Sequence, residues 1–168
     1  MNFTELATNR YSMRSYSTAE VEQTKIDAIL EMVKLAPTAC NLQPQRVKVI
    51  TAKEDLVKVD ACTGCRYHAP VVFLICYDSD ECWVRNFDQA KSGEVDSSIV
   101  ATHMMLKAEE LELGSLWVMH FDAQKTSELF DLPTNIIPMT MLMVGYPGLL
   151  ARPAKPHSIT KGIEEMLI

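Results

Sequence analysis

Arg10, Ser12 and Arg14 lie two residues apart near the start of the chain. Successive side chains of an extended backbone alternate sides, so this spacing brings two guanidinium groups and a hydroxyl to one place. Guanidinium groups make paired, charge-assisted hydrogen bonds to phosphate oxygens and a serine hydroxyl adds a donor, which is anion-binding chemistry. A solvated stretch with two surface arginines would read the same way. A second stretch, Ala36-Pro37-Thr38-Ala39-Cys40-Asn41-Leu42-Gln43-Pro44, gathers Thr, Asn and Gln, whose donors and acceptors suit a planar heterocycle with mixed edges. Its alternative reading is a helix stop followed by ordinary turn residues.

A third group is Cys62-Thr63-Gly64-Cys65 with His68. A structural zinc needs four ligands, and Cys76 or Cys82 would have to supply the last. Cys76 falls in a run that reads as buried strand, and no second C-x-x-C or histidine pair is present, so incidental thiols rank ahead of a metal-binding module. A thioredoxin-like pair should sit between a strand and a helix of a βαβ unit, which is not the pattern here. His103 lies in an apolar helical stretch, as a hydrogen-bonded core or interface histidine would. His157 falls in the tail and is assigned no role, and Glu109 to Glu112 reads as the solvated end of a helix.

The elements that must hold these groups follow from periodicity. Ser17 to Glu20 has the pattern of a capping box, and Ile26, Ile29, Leu30 and Val33 share one helical face, predicting a helix from about residue 19 to 35 that Pro37 ends. Val47 to Thr51 and Val71 to Tyr77 read as buried strands of one sheet. Asp96 to Leu113, free of Gly and Pro, predicts the longest helix, with Gly114 as its C-terminal cap. Its first half (Ile99, Val100, Ala101, Met104, Met105, Leu106) is apolar on nearly every face, which implies burial from both sides and a second subunit. Ser115 to Val118 and Met139 to Val144 predict two more strands, with a helix capped by Asp122 between them that runs to about Leu132. Pro147, Pro153 and Pro156 preclude long regular structure in the last stretch, which is expected to wrap over a surface.

With 168 residues, 48% of them hydrophobic and 23% charged, the chain has the size and composition of one folded domain. A formal charge of −6 argues against non-specific nucleic-acid binding, which needs a basic face. Five cysteines, an odd number, fit reduced thiols better than a disulfide framework. The start, MNFTELATNR, lacks a basic stretch followed by an apolar run, and no segment approaches the ~20 apolar residues of a membrane span. A cytoplasmic protein with no membrane partner is expected.

Taken together, the Arg10-x-Ser12-x-Arg14 stretch and, after one helix, the Pro37-Thr38-x-x-Asn41-x-Gln43-Pro44 loop resemble the nitroreductase family. The likeness continues through Ala69-Pro70-Val71-Val72, the helix Asp96 to Leu113, Gly114-Ser115-Leu116-Trp117 and Val144-Gly145-Tyr146-Pro147, nearly the whole chain. It implies an α+β fold with a mostly antiparallel central sheet flanked by helices: a single domain over 1–168 with 147–168 as an extended C-terminal tail. It further implies an intertwined homodimer with FMN at the interface, NADH or NADPH as transient hydride donor, and a small acceptor such as a nitroaromatic or quinone. By the same resemblance Arg10 and Ser12, with Tyr11 between them, contact the FMN phosphate, and Arg14 faces the flavin N1/O2 edge. Pro37, Thr38 and Asn41, with Gln43 nearby, belong to a loop supplied by the partner subunit, and Val118-Met119-His120 is where backbone groups approach flavin N5. The chain departs from the family in three places. Met119 and His120 stand where a small or glycine-containing stretch is common, Gln45 follows the Gln-Pro in place of an aromatic, and Thr160-Lys161 replaces an Arg-Lys pair. Lys161 is the candidate third phosphate contact, with Lys155 and Arg152 as rivals. In such a protein the cofactor carries the redox chemistry and no catalytic acid or nucleophile is needed. A flavin-binding sensor or store without turnover would share the same residues.

Overall fold

Val71 to Cys76 is an unbroken apolar run in which every residue is buried, and a strand of that kind needs cover on both faces. The structure, a computed structural model that describes residues 2–168, supplies it. Strand β2 (Val71–Asp78) lies inside a four-stranded sheet of order β1-β2-β4-β3, with β1 spanning Gln45–Ile50, β3 Gly114–Val118 and β4 Ile136–Gly145. All three pairings are antiparallel. On one face Val71, Phe73 and Ile75 join Leu142 and Val144 beneath helices α2 (Gln23–Leu35) and α4 (Gly93–Glu110), which contribute Ile26, Ile29, Val100, Ala101 and Met104. On the other, Val72, Leu74 and Cys76 join Met141 and Met143 against Val59 of α3 (Lys53–Cys62) and Phe130 at the end of α5 (Ala123–Leu129). Each such side chain contributes roughly 1.5–3 kcal/mol by leaving water, so the two-sided sheet is the main source of stability. The expected α+β architecture is the one observed.

Several boundaries differ from expectation. The first long helix begins at Gln23, after Glu22, whose side chain makes no capping bond to the helix and instead accepts from the Tyr146 hydroxyl. Ser17 is not its cap: the Ser17 hydroxyl accepts from Ala19 N–H at 2.9 Å, and its own N–H is tied to Tyr146 C=O. The expected 96–113 helix is α4, shifted three residues towards the N-terminus. Its left-handed residue is Glu112 (φ 63°) and not Gly114; Leu113 N–H returns to Ala108 C=O and Glu112 N–H to Glu109 C=O, as in a Schellman close. Glu109, read as solvated, is half-buried, and burial pushes its carboxyl up while nearby Arg10 partly offsets this. The Asp122 cap is present, its carboxylate accepting from Lys125 N–H, but α5 stops at Leu129. Helix α1 (Phe3–Asn9), capped by Asn2 and Glu5, and helix α3 have no counterpart among the elements that periodicity predicts.

Inward-facing Val100, Ala101, Met104 and Ala108 of α4 are fully buried, whereas Val95 on its outer side is 62% exposed and Ile99 only half-buried. Burial from both sides is therefore not met within one chain. His103 is half-buried, its Nδ1 2.9 Å from Ile99 C=O. Beyond Gly145 the chain holds only two short 3-10 turns, at 155–158 and 163–165, and leaves Leu149, Leu150, Ile159, Ile163, Leu167 and Ile168 exposed. Among the described residues no helix is long and apolar enough to cross a membrane.

Candidate functional site

The segment from Arg10 to Tyr16 runs extended beside β3, with Ser12 bridged in parallel to Ser115 and Met13 N–H donating to Ser115 C=O at 2.9 Å. Alternation turns Met13 inward, where it is fully buried. It lies directly on Gly114, where an added Cβ would meet Met13 Cε at 2.1 Å; the glycine is there for this close approach. Arg10, Ser12 and Arg14 consequently open to the other side. With Ala154, Pro156 and His157 they line a cleft of about 370 Å³. Ser12 and Arg14 also border an adjoining depression of about 590 Å³ with Arg152 and Lys155. The Tyr11 ring stands edge-on to His157, centroids 6.2 Å apart, and Arg14 donates to Ser12 C=O at 3.2 Å. Among the described residues none of Arg10, Arg14, Arg152 or Lys155 is in a salt bridge. Lys161 is exposed in the tail and lines neither cleft. His157, assigned no role from its place in the tail, is brought there by the return of the tail, and no local pattern announces it.

The loop after α2 is pinned from the opposite end of α4. Asp96, 2% exposed, accepts Ala39 N–H at 2.9 Å through one carboxylate oxygen and the Ser92 hydroxyl at 2.7 Å through the other. Within the loop Thr38 Oγ1 accepts from Gln43 N–H at 3.1 Å and Gln43 Nε2 donates to Asn41 Oδ1 at 3.0 Å. Cys40, Asn41 and Gln43 hold φ of 50°, 54° and 53°, left-handed values that are uncommon for residues with a Cβ. Pro37, Asn41 and Gln43 are exposed and Thr38 is half-buried. Asp96 sits in the first turns of α4 and Glu109, beside Arg10, in its last. At about 1.5 Å per residue the two lie about 20 Å apart along the axis, so one chain does not bring the loop to the arginines.

Met119 and His120 follow β3 and are exposed. Their neighbours are held firmly: Thr140 Oγ1 donates to Val118 C=O at 2.8 Å, Thr63 Oγ1 to His120 C=O at 2.7 Å, and Asp122 N–H to Cys62 C=O at 3.0 Å. The Cys62–Cys65 turn reaches the arginine segment through a depression of about 360 Å³ lined by Arg14, Tyr16, Asp60, Gly64, Tyr67 and His68. Tyr67 and His68 both have positive φ, in a turn closed by Ala69 N–H to Arg66 C=O at 3.0 Å. All five thiols are free, and burial pushes that of Cys76 up to about 12. Among the described residues no group of three or more His, Cys, Asp or Glu side chains is gathered to hold a metal.

Fold and cleft define a class: α+β proteins with a covered antiparallel sheet and a cationic cleft beside its edge strand. The family model described as Nitroreductase family matches residues 7–67 and 65–146, and the chain belongs to that family. It is similar to a nitroreductase family protein from Clostridium difficile 630, whose crystal structure superposes with a TM-score of 0.95 at 39% identity, covering 100% of this chain and 98% of that one. A structure named FMN-dependent nitroreductase, from Clostridium difficile R20291, shares the fold with a TM-score of 0.77 at 24% identity over 95% of this chain and 99% of its own. The FMN reductase [NAD(P)H] of Bacillus subtilis is 28% identical over 159 residues, 84% of this chain and 64% of that protein.

Proposed function

We propose that this protein is an FMN-dependent oxidoreductase that works as a homodimer, taking hydride from NADH or NADPH and passing electrons to a small acceptor of the nitroaromatic or quinone kind. The observation that carries the reading is the set of unpaired cations, Arg10, Arg14, Arg152 and Lys155, around the Ser12 hydroxyl in a chain of net charge −6. Glu109 stands beside Arg10, but four cations against one carboxylate suit a bound anion, and two guanidiniums with a hydroxyl match a phosphate. The relatives named FMN reductase [NAD(P)H] and FMN-dependent nitroreductase support cofactor and donor.

In this reading Arg10 and Ser12, flanked by Tyr11, hold the phosphate with a cation from the tail. Lys155 and Arg152 border the cleft and are preferred to Lys161. Arg14 faces the N1/O2 edge and favours the negative charge that collects there on reduction, an effect that grows as water is excluded. Pro37, Thr38, Asn41 and Gln43 serve the site of the second subunit, which accounts for their distance from the arginines of their own chain. The partly apolar outer side of α4 and the apolar tail residues are the surfaces such a dimer would cover. Met119 and His120 lie over N5. Bound FMN would supply the hydride-accepting and electron-donating chemistry itself.

The test is the absorbance spectrum of purified protein with extraction of its cofactor, followed by anaerobic NAD(P)H and then an acceptor. A yellow protein that bleaches and recovers its colour is expected. A colourless protein that takes up no added FMN overturns the reading, and bound FMN that NAD(P)H does not reduce indicates a sensor or store.

A further inference from the structure

The threonine of the C-T-G-C turn is buried and engaged as both donor and acceptor. Thr63, 6% exposed, accepts Cys65 N–H at 3.1 Å and donates to His120 C=O at 2.7 Å. Three consecutive carbonyls of the 118–120 segment are thereby occupied: Val118 by the Thr140 hydroxyl, Met119 by Phe121 N–H at 3.0 Å, and His120 by the Thr63 hydroxyl. The N–H groups of Met119 and His120 meet no acceptor among the described residues. Each of these carbonyls is turned toward its internal donor, so what the segment leaves unengaged for a ligand is its N–H donors.

We propose that Thr63 is a positioning residue: through its bond to His120 C=O it locks the 118–120 segment so that only N–H donors face the flavin. This rests on the reading that FMN binds with N5 against this segment. A donor matches the lone pair of oxidised N5 and mismatches the hydrogen that N5 carries after reduction, so the lock favours the oxidised flavin. Without the Thr63 hydroxyl only the Phe121 N–H bond to Met119 C=O still holds the peptide after His120, its carbonyl gains the freedom to turn and accept from reduced N5, and reduction becomes easier.

The experiment uses FMN-loaded protein, with Thr63→Val to remove the hydroxyl at nearly constant shape and Thr63→Ser to keep it. For Thr63→Val the FMN dissociation constant should stay within about threefold of wild type. The reduced-to-oxidised ratio at fixed potential should rise about three- to tenfold, tenfold being ~30 mV for a two-electron couple measured against a reference dye. Thr63→Ser should match wild type. A Thr63→Val protein that holds FMN at the wild-type potential overturns the lock. If Thr63→Val does not fold, hydrogen exchange on wild type decides: FMN should slow exchange at the Met119 and His120 amides, and unchanged exchange overturns the proposal. A wild-type protein that takes no FMN overturns the functional reading instead, and the lock with it.

Discussion

Under the proposed function the two ends of α4 meet different recognition problems with different materials. At the C-terminal end the extended Arg10–Arg14 segment presents charge, held by main-chain bonds to β3 and by Met13 seated on Gly114. At the N-terminal end the 37–43 loop presents neutral amides and a hydroxyl, held by the buried Asp96 carboxylate in a backbone with three left-handed residues. Charge acts over several ångströms and tolerates loose placement, so a strand with period two is enough to deliver it. Hydrogen bonds to the edges of a ring fail within a few tenths of an ångström or a few tens of degrees, so a loop that serves the flavin ring, as proposed, has reason to be bent and pinned where the strand does not.

That contrast can be broken at its strongest point first. Asp96→Ala removes two hydrogen bonds to a buried charged acceptor, at ~1.5–3 kcal/mol each, so unfolding in urea should show a loss of about 3 kcal/mol or more, with Asp96→Asn recovering part. A loss below ~1 kcal/mol would mean that the loop holds itself. At the other end, Arg10→Ala should raise the FMN dissociation constant about 10- to 100-fold, one charge-assisted bond, while leaving the reduction potential unchanged, because the phosphate charge does not alter on reduction. Arg14→Ala should instead lower the potential, by ~30 mV for each ~1.4 kcal/mol of lost preference for reduced flavin, and slow reduction by NAD(P)H. If it releases FMN without moving the potential, Arg14 belongs with the phosphate end. The smallest effect sharpens the comparison by chemistry: Cys40, exposed in the loop, should alkylate readily in FMN-free protein, whereas Cys76, its thiol pushed up to about 12 by burial, should react only on unfolding. Mass spectrometry of the labelled thiols reads the order directly.

What the sequence disclosed follows the range of the forces involved. The strands are legible because Val71 to Cys76 and Met139 to Val144 are largely apolar runs with few other uses, and because Val47, Val49 and Ile50 mark β1 despite its charged residues. The side-by-side display of Arg10, Ser12 and Arg14 was legible because a period of two is local. Helix α1 leaves little trace in the sequence because its face contributes no buried residue, and α3 leaves little more because Val59 and Cys62 alone are buried. The start of α2 is not legible because Ser17 and Glu20 satisfy the capping pattern while Ser17 serves a turn. Glycine 114 follows a helix end, and only the structure reveals that its missing side chain makes room for Met13, a hundred residues earlier. Thr63 and Thr140 reach carbonyls 57 and 22 residues away, and no local spacing encodes such bonds.

The strand order also dictates when the molecule can be built. β4, the last strand to be synthesised, lies between β2 and β3 and pairs with both. A nascent chain that ends at Leu132 can join β1 to β2, but the other edge of β2 and all of β3 must wait with their backbone groups unpaired. Such edges invite pairing with other chains. Fragments that stop short of Ile136 should therefore aggregate rather than form a smaller stable unit, and the ribosome must have delivered most of the chain before the sheet can close.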